Sequence, residues 1–266
     1  MSAIGKAAAQ IRTIDEMASE DRWMNRLHPL VKLFITVLYI AVTVSFGKYN
    51  LSGVLGMSLY LIFLYGTGEL CLSEALYRLR VILPLVCVVG LFNPLFDRQV
   101  ITSFGDIAVS GGVISMITLM LKGIFSVLAT YALIATTGIE KICHALRLLH
   151  LPKILVTQIL LIYRYISLLL AEVNRMTQAY ALRAPGQKGI HFKVWGSLAG
   201  QLLLRSVDRA QRVYESMCLR GYTGAFYYGE RSRMRAADLI YLAGWAAAIA
   251  LLRAVPVFEY IGMLFV

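Results

Sequence analysis

Two arginines stand where two long helical stretches of the sequence end. Arg183 is followed by Ala184-Pro185-Gly186 and Arg220 by Gly221, and residues of these types end helices. Arginine is favoured beside the negative end of any helix, so one such end indicates little. Two of them, 37 residues apart in one basic region, favour a docking surface, because the forked guanidinium group pairs well with the carboxylates of a partner.

The other residue types that support chemistry are not arranged for it. The four histidines lack the spacing of metal ligands, and the sequence contains no Gly-x-x-x-x-Gly-Lys-Ser/Thr phosphate-binding loop and suggests no Ser/His/Asp set. The four cysteines are scattered without a Cys-x-x-Cys pair, which argues against a zinc site and a disulfide framework. The sequence therefore predicts a chain that is not an enzyme and holds no metal or cofactor of its own.

The stretch 198–221 shows how one of the arginines is presented. Its apolar residues recur at alternating steps of four and three, which places them on one face of a helix. That face comprises Leu203, Val207, Ala210, Tyr214 and Met217, and the opposite face comprises Arg205, Asp208, Arg209, Arg212 and Glu215. We expect an amphipathic helix with a cation at its tip.

The composition places these helices in an integral membrane protein. Of the 266 residues, 59% are hydrophobic and 15% charged, whereas about 25% are charged in soluble domains. Lys32 is expected to snorkel to the surface from the start of the first span. The expected fold class is all-α and polytopic, with long amphipathic helices, connecting segments at 69–80 and 97–112, and about five spans near 29–46, 51–65, 81–96, 112–137 and 239–252.

Charge divides the chain into three parts. Residues 138–236 hold 15 of the 26 Lys and Arg but only 5 of the 15 Asp and Glu, which accounts for +10 of the net charge of +11. The positive-inside rule places this part in the cytoplasm, and four preceding spans put the N-terminus on the same side. Nucleic acid is a poor partner for basic helices that follow directly from membrane spans. The predicted parts are an N-terminal transmembrane domain, 1–137, with an interfacial lead-in at 4–26, a cytoplasmic helical domain, 138–236, and a C-terminal transmembrane segment, 237–266.

Three features leave alternatives open. The apolar run Leu155–Ala171 lies at the membrane surface or crosses the bilayer. Lys122 is a functional or structural charge inside the fourth span, or it marks the edge of a shorter span. The apolar tail after Pro256 extends the last span or forms another element.

Short strings in a fixed order resemble the transmembrane T component of energy-coupling factor transporters, particularly the cobalt/nickel branch, over nearly the whole chain. The strings are Ile14-Asp15, Asp21-Arg22-Trp23, His28-Pro29-x-x-Lys32-Leu33, Thr136-Thr137, Ala145-Leu146 to Leu151-Pro152, Arg164-Tyr165-Ile166 and Glu172. The two Ala-Arg-Gly-like triplets of that family stand here as Leu182-Arg183-Ala184 and Leu219-Arg220-Gly221. The first triplet lacks the glycine.

The resemblance implies a non-catalytic coupling subunit of an importer in a bacterial-type inner membrane. Two ABC-type ATPase subunits, which bind the ATP, would each receive one arginine-tipped helix, with Arg183 and Arg220 facing acidic residues. The apolar face of the second helix would transmit the motion to a separate membrane subunit that binds cobalt or nickel. Two alternatives remain: a shared T component of a vitamin-type transporter, and a membrane-embedded enzyme that holds an anionic lipid or phosphorylated substrate with the arginines.

Overall fold

The structure is a computed structural model that describes residues 9, 12–13, 15–20, 22–96, 100–104, 107–186, 189–224 and 234–254. Over these residues the chain is predominantly helical. In chain order its elements are α1 (Trp23–Arg26), α2 (Pro29–Ser45), α3 (Leu51–Gly56), α4 (Ser58–Gly68), α5 (Leu72–Phe96), β1 (Val100–Phe104), β2 (Ile107–Ser110), α6 (Gly111–Thr137), α7 (Ile139–Leu148), α8 (Lys153–Arg183), α9 (Phe192–Leu219) and α10 (Ala236–Ala254).

The helices confirm a polytopic membrane protein. Within the described residues, four stretches are long and apolar enough to cross a membrane, namely Leu51–Gly68, Gly111–Thr137, Lys153–Arg183 and Ala236–Ala254, and the apolar helix Pro29–Ser45 is shorter. The expected third span is part of α5, which also contains most of the expected connector and continues through Pro84 and Pro94. Since α8 also qualifies by length and composition, both placements of its apolar half remain open. The tail after Ala254 lies outside the described residues.

The interval 97–112, which the sequence predicts to be a loop, contains a hairpin. Strands β1 and β2 pair antiparallel, with Val100 opposite Ser110 and Phe104 opposite Ile107. Both strands contain β-branched residues, which favour extended backbone, whereas the nearby glycine and serine residues alone predict a loop. The expectation of a loop is therefore wrong for 100–104 and 107–110.

The chain forms two compact units. One comprises Met1–Met17 with Ile139–Arg231 and contains α7, α8 and α9, whereas the other comprises Ala18–Gly138 with Ser232–Val266. We call the first the basic unit and the second the anchor unit. The anchor unit has an aromatic core in which Tyr39 and Tyr60 are fully buried, with their ring centroids 4.6 Å apart.

Two lysines of the anchor unit cap each other's helices. Lys32, near the start of α2, donates to the carbonyl oxygen of Thr136 in the last turn of α6 at 2.8 Å. Lys122, in α6, donates to the carbonyl oxygens of Phe46 and Val44 at the end of α2, at 2.6 and 3.2 Å. The last carbonyls of a helix lack partners within the helix and attract cations, so both lysines satisfy groups that the bilayer would leave unpaired.

These contacts bear on the expectations for the two lysines. Lys122 lies 11 residues after Gly111, the first residue of α6, and its ammonium group is held at the end of α2. It therefore has a structural contact, and the position of the span edge stays a prediction. The expectation that Lys32 snorkels is wrong, because its side chain is buried at 4% exposure and finds its acceptor inside the protein.

Asp238 joins the beginning of α2 to the beginning of α10. Its buried carboxylate accepts from the backbone N–H of His28 through Oδ1 at 2.9 Å and from that of Arg235 through Oδ2 at 2.8 Å. The Nδ1 atom of His28 accepts from the backbone N–H of Leu30 at 3.2 Å and so caps α2, ahead of Pro29 at its first position. The His28-Pro29-x-x-Lys32 string therefore has a structural role, in which a cap, a helix start and a buried cation follow one another.

Candidate docking surface and arginine cleft

Arg220 follows the last residue of α9 and is held by a Schellman motif. Gly221 has a φ of +81°, in the left-handed region. Its N–H donates to the carbonyl oxygen of Cys218, and the N–H of Tyr222 donates to that of Met217, both at 3.0 Å. The prediction of a helix that ends at glycine with arginine at its tip is confirmed.

Arg183 is the last residue of α8, which ends by a different device. Ala184 precedes a proline and has φ −124° and ψ 65°, because the proline ring excludes the helical conformation from the residue before it. The N–H of Ala184 still donates to the carbonyl oxygen of Tyr180 at 3.0 Å, and Gly186 follows with a φ of +96°. Pro185 thus ends α8 directly after the triplet Leu182-Arg183-Ala184, which has no glycine.

Each arginine follows a leucine that is almost fully exposed. Leu182 is 83% exposed and Leu219 is 90% exposed. Single exposed leucines are ordinary on protein surfaces. Here the same pair, a leucine and then an arginine, recurs at the ends of both long helices of the basic unit. We call the segments Leu182-Arg183-Ala184 and Leu219-Arg220-Gly221 the arginine tips.

The apolar face that the sequence predicts on α9 is open. Leu203 and Tyr214 are 64% and 61% exposed, Val207 and Ala210 are also exposed, and Met217 is half-buried. No residue of α9 is buried. The face is therefore available to a partner.

The charged side of α9 lines a cleft in the basic unit together with α8. The cleft has a volume of about 830 Å³. Its bases are Arg164 from α8 and Arg205, Arg209, Arg212 and Arg220 from the α9 side, and its acids are Glu172 and Asp208. The sequence identifies this charged face but not the neighbour against which it lies, because charge alone does not give the direction of packing.

Glu172 connects the two helices across the cleft. Its side chain is 20% exposed and forms an ion pair with Arg205 of α9, and a weaker one with Arg175 of its own helix at 3.7 Å. Glu172 belongs to the strings that carry the family resemblance, but its partner on α9 is found only in the structure. Its pairing leaves the rest of the cleft with an excess of arginine.

Comparison with known proteins gives a family for this chain. The family model CbiQ, described as a cobalt transport protein, matches residues 20–231. The chain belongs to this family. Two uncharacterised proteins of Methanocaldococcus jannaschii are similar to it. One is 26% identical over 229 residues, 82% of this chain and 78% of the relative, and the other is 33% identical over 107 residues, 40% and 38% of the two chains.

The CbiQ match includes both arginine tips and the cleft, and it ends before α10. Membership of this family makes the chain a membrane transport protein rather than an enzyme. In the part of the chain that the structure describes, no group of three or more His, Cys, Asp or Glu is placed to hold a metal ion. His28 and His191 each cap a helix, α2 and α9 respectively.

Proposed function

We propose that this CbiQ chain is the non-catalytic coupling subunit of an energy-coupling factor importer for cobalt or nickel ions. The repeated arginine tips carry the proposal, since two long helices of one unit end in the same exposed pair of leucine and arginine. Two partner ABC-type ATPase subunits would bind the ATP, and a separate integral membrane subunit would bind the substrate. The description of the family as cobalt transport proteins supports this choice of substrate.

Each arginine tip offers two complementary groups to an ATPase. The guanidinium group of Arg183 or Arg220 pairs with carboxylates in a groove of the partner, and the preceding leucine fills an apolar depression beside them. Closure of the two ATPases on ATP moves one tip relative to the other. Because Arg183 is the last residue of α8 and Arg220 directly follows the last residue of α9, each tip adjoins a long helix that carries the displacement.

The open face of α9 is the surface that the substrate-binding subunit contacts in this proposal. Its exposed side chains, among them Leu203 and Tyr214, would be removed from water or lipid in the complex. The metal ion is held in that other subunit. The role of this face is to transmit a displacement, for which apolar packing without a fixed hydrogen-bond pattern is suited.

The arginine in the apolar half of α8 favours a position at the cytoplasmic membrane surface. Arg164 lies 11 residues after Lys153, the start of the helix. In a helix that crossed the bilayer it would be near the centre, at a cost of about 2.5–3.5 kcal/mol. At the surface it reaches the headgroups, and both arginine tips remain in the cytoplasm with the N-terminus, as the excess of basic residues requires.

Thiol labelling tests this topology. We expect Cys71 and Cys218, which are exposed, to react with a membrane-impermeant maleimide from the cytoplasmic side in single-cysteine variants. A His150→Cys variant that lacks the native cysteines carries its thiol before α8, whereas Cys218 lies near the end of α9. If α8 does not cross the bilayer, both thiols are expected to react from the cytoplasmic side. Inverted and right-side-out vesicles are compared.

The buried Cys143 provides the control for labelling. Burial, and then the nearby Glu140, raise the pKa of its thiol, so it is expected to react only after the protein is denatured. Reaction of His150→Cys and Cys218 from opposite sides would mean that α8 spans the membrane. The proposal that α8 lies at the membrane surface with both arginine tips in the cytoplasm would then be wrong.

Co-purification tests the docking itself. We expect the tagged wild type to retain an ATP-binding subunit pair from solubilised membranes and an Arg183→Ala/Arg220→Ala variant to lose it, because both cationic contacts are removed. A Lys153→Ala/Lys193→Ala variant removes two exposed cations from the opposite ends of the same helices and should retain the partners. Wild type that emerges alone, or equal retention by the tip variant, contradicts the proposal.

A further inference from the structure

The cleft between α8 and α9 carries more positive charge than its own acids neutralise. Five arginines and two carboxylates line it, and one of each, Arg205 and Glu172, form an ion pair. Asp208 is the remaining acid. Arg164 and Arg209 form no ion pair with a described residue, and the Nε of Arg212 donates to the carbonyl oxygen of Asp208 at 3.4 Å. The cleft is therefore suited to an anion.

The surroundings of these arginines are apolar. Leu161, Leu168 and Leu169 of α8 line the same cleft as Leu202 and Val213 of α9. The apolar half of α8 is also largely uncovered, since only 11% of the most apolar 18-residue stretch of this helix is buried. A ligand that satisfies this cleft therefore combines a negative group with a long apolar part.

The position of Arg164 also favours a ligand that has both a negative group and an apolar part. It is an exposed arginine within the apolar run Leu155–Ala171, and no described carboxylate pairs with it. A guanidinium group beside hydrocarbon is stabilised by a phosphate, with which it forms two parallel hydrogen bonds. Arg209 and Arg212 approach the cleft from the other helix and can share that phosphate.

We propose that the cleft binds one anionic glycerophospholipid, with its phosphate among Arg164, Arg209 and Arg212 and its acyl chains along the apolar side of α8. An acidic protein segment would satisfy the arginines but would leave the leucines without an apolar partner. Basic pockets between membrane-associated helices recognise lipid headgroups in this way. Arg220 of one arginine tip also lines the cleft, but the phosphate site proposed here uses Arg164, Arg209 and Arg212, so the inference does not depend on the docking proposal.

Native mass spectrometry of the purified full chain tests the site. The protein is mixed in detergent with phosphatidylglycerol and phosphatidylcholine of the same acyl chains and in equal amounts. We expect wild type to retain phosphatidylglycerol preferentially, and an Arg209→Gln/Arg212→Gln variant to lose this preference by roughly tenfold or more. Arg164→Gln, which changes the other helix of the cleft, is expected to weaken the preference as well. This variant tests the site if the double variant does not fold.

A charge-matched control distinguishes the cleft from general attraction. Lys153→Gln/Lys193→Gln removes two exposed cations of the same unit and should keep the preference. Equal retention of the two lipids by wild type, or the same preference in cleft and control variants, overturns the proposal. Displacement of the lipid by millimolar glycerol phosphate would identify a water-soluble phosphate as the ligand instead. Unchanged lipid binding by the cleft variant, together with loss of the ATPases when the same variant is co-purified from membranes, would make the cleft a protein-docking face.

Discussion

Replacement of Arg183 or Arg220 by glutamate is expected to reduce the uptake of cobalt or nickel to background while the protein remains in the membrane. Glutamate in place of arginine removes the pairing cation and repels the carboxylates of the ATPase groove. The effect on the helix itself is small, because a favourable charge at a helix end contributes only about 0.3–1 kcal/mol. The measurement is uptake of radioactive metal by cells in which the variant replaces the native subunit, beside its abundance in membranes.

Lys193→Glu is the matched control for this experiment. Lys193 is exposed at the beginning of α9, at the other end of the helix from Arg220, so the same reversal of charge leaves both arginine tips intact. Its uptake should stay close to that of wild type. Wild-type uptake by both tip variants would rule out the docking of ATPases through these arginines, whatever the control shows.

The second large effect is expected at Asp238. Each oxygen of its buried carboxylate accepts from a different backbone N–H, that of His28 or that of Arg235. In Asp238→Asn, the amide nitrogen takes the place of one of these oxygens and leaves a buried N–H without an acceptor, which costs about 1–3 kcal/mol. We expect the apparent Tm in detergent, measured by size-exclusion chromatography after heating, to fall on the order of 5 °C.

Glu215→Gln also replaces a carboxylate by an amide, at a position where the carboxylate does not connect two helices. Glu215 is exposed on α9, and the Tm of this variant should stay within about 1 °C of wild type, as is usual for exposed substitutions. An Asp238→Asn protein as stable as the control would show that the two hydrogen bonds do not hold the beginnings of α2 and α10 together.

The parts of the site that the sequence predicts are those determined by local chemistry. Gly221 and Pro185 end their helices through conformational restrictions of single residues, so the positions of Arg183 and Arg220 follow from the sequence. The amphipathic pattern of α9 follows in the same way from helical periodicity. The proposed roles of these residues in docking remain predictions.

The parts that the sequence does not predict depend on contacts between distant segments. Asp238 is one polar residue before an apolar stretch, and only its position beside His28, 210 residues away, reveals its role. Lys32 follows the pattern of a snorkelling lysine, but a carbonyl from another helix offers it an acceptor inside the protein. The charged side of α9 lies along a cleft in which Arg205 pairs with Glu172 of α8, and periodicity cannot identify a partner on another helix.

The separation of the two capping lysines from their acceptors sets an order for biogenesis. Lys32 precedes its acceptor carbonyl by 104 residues, whereas Lys122 follows its acceptors by 76 and 78 residues. When α2 enters the bilayer during translation, the residue that will accept from Lys32 has not yet been synthesised, and the ammonium group stays with the headgroups. Lys122 meets its acceptors on arrival. We therefore expect the first span to reach its final depth only after α6 has been inserted, so that α2, although it is made early, becomes fixed late.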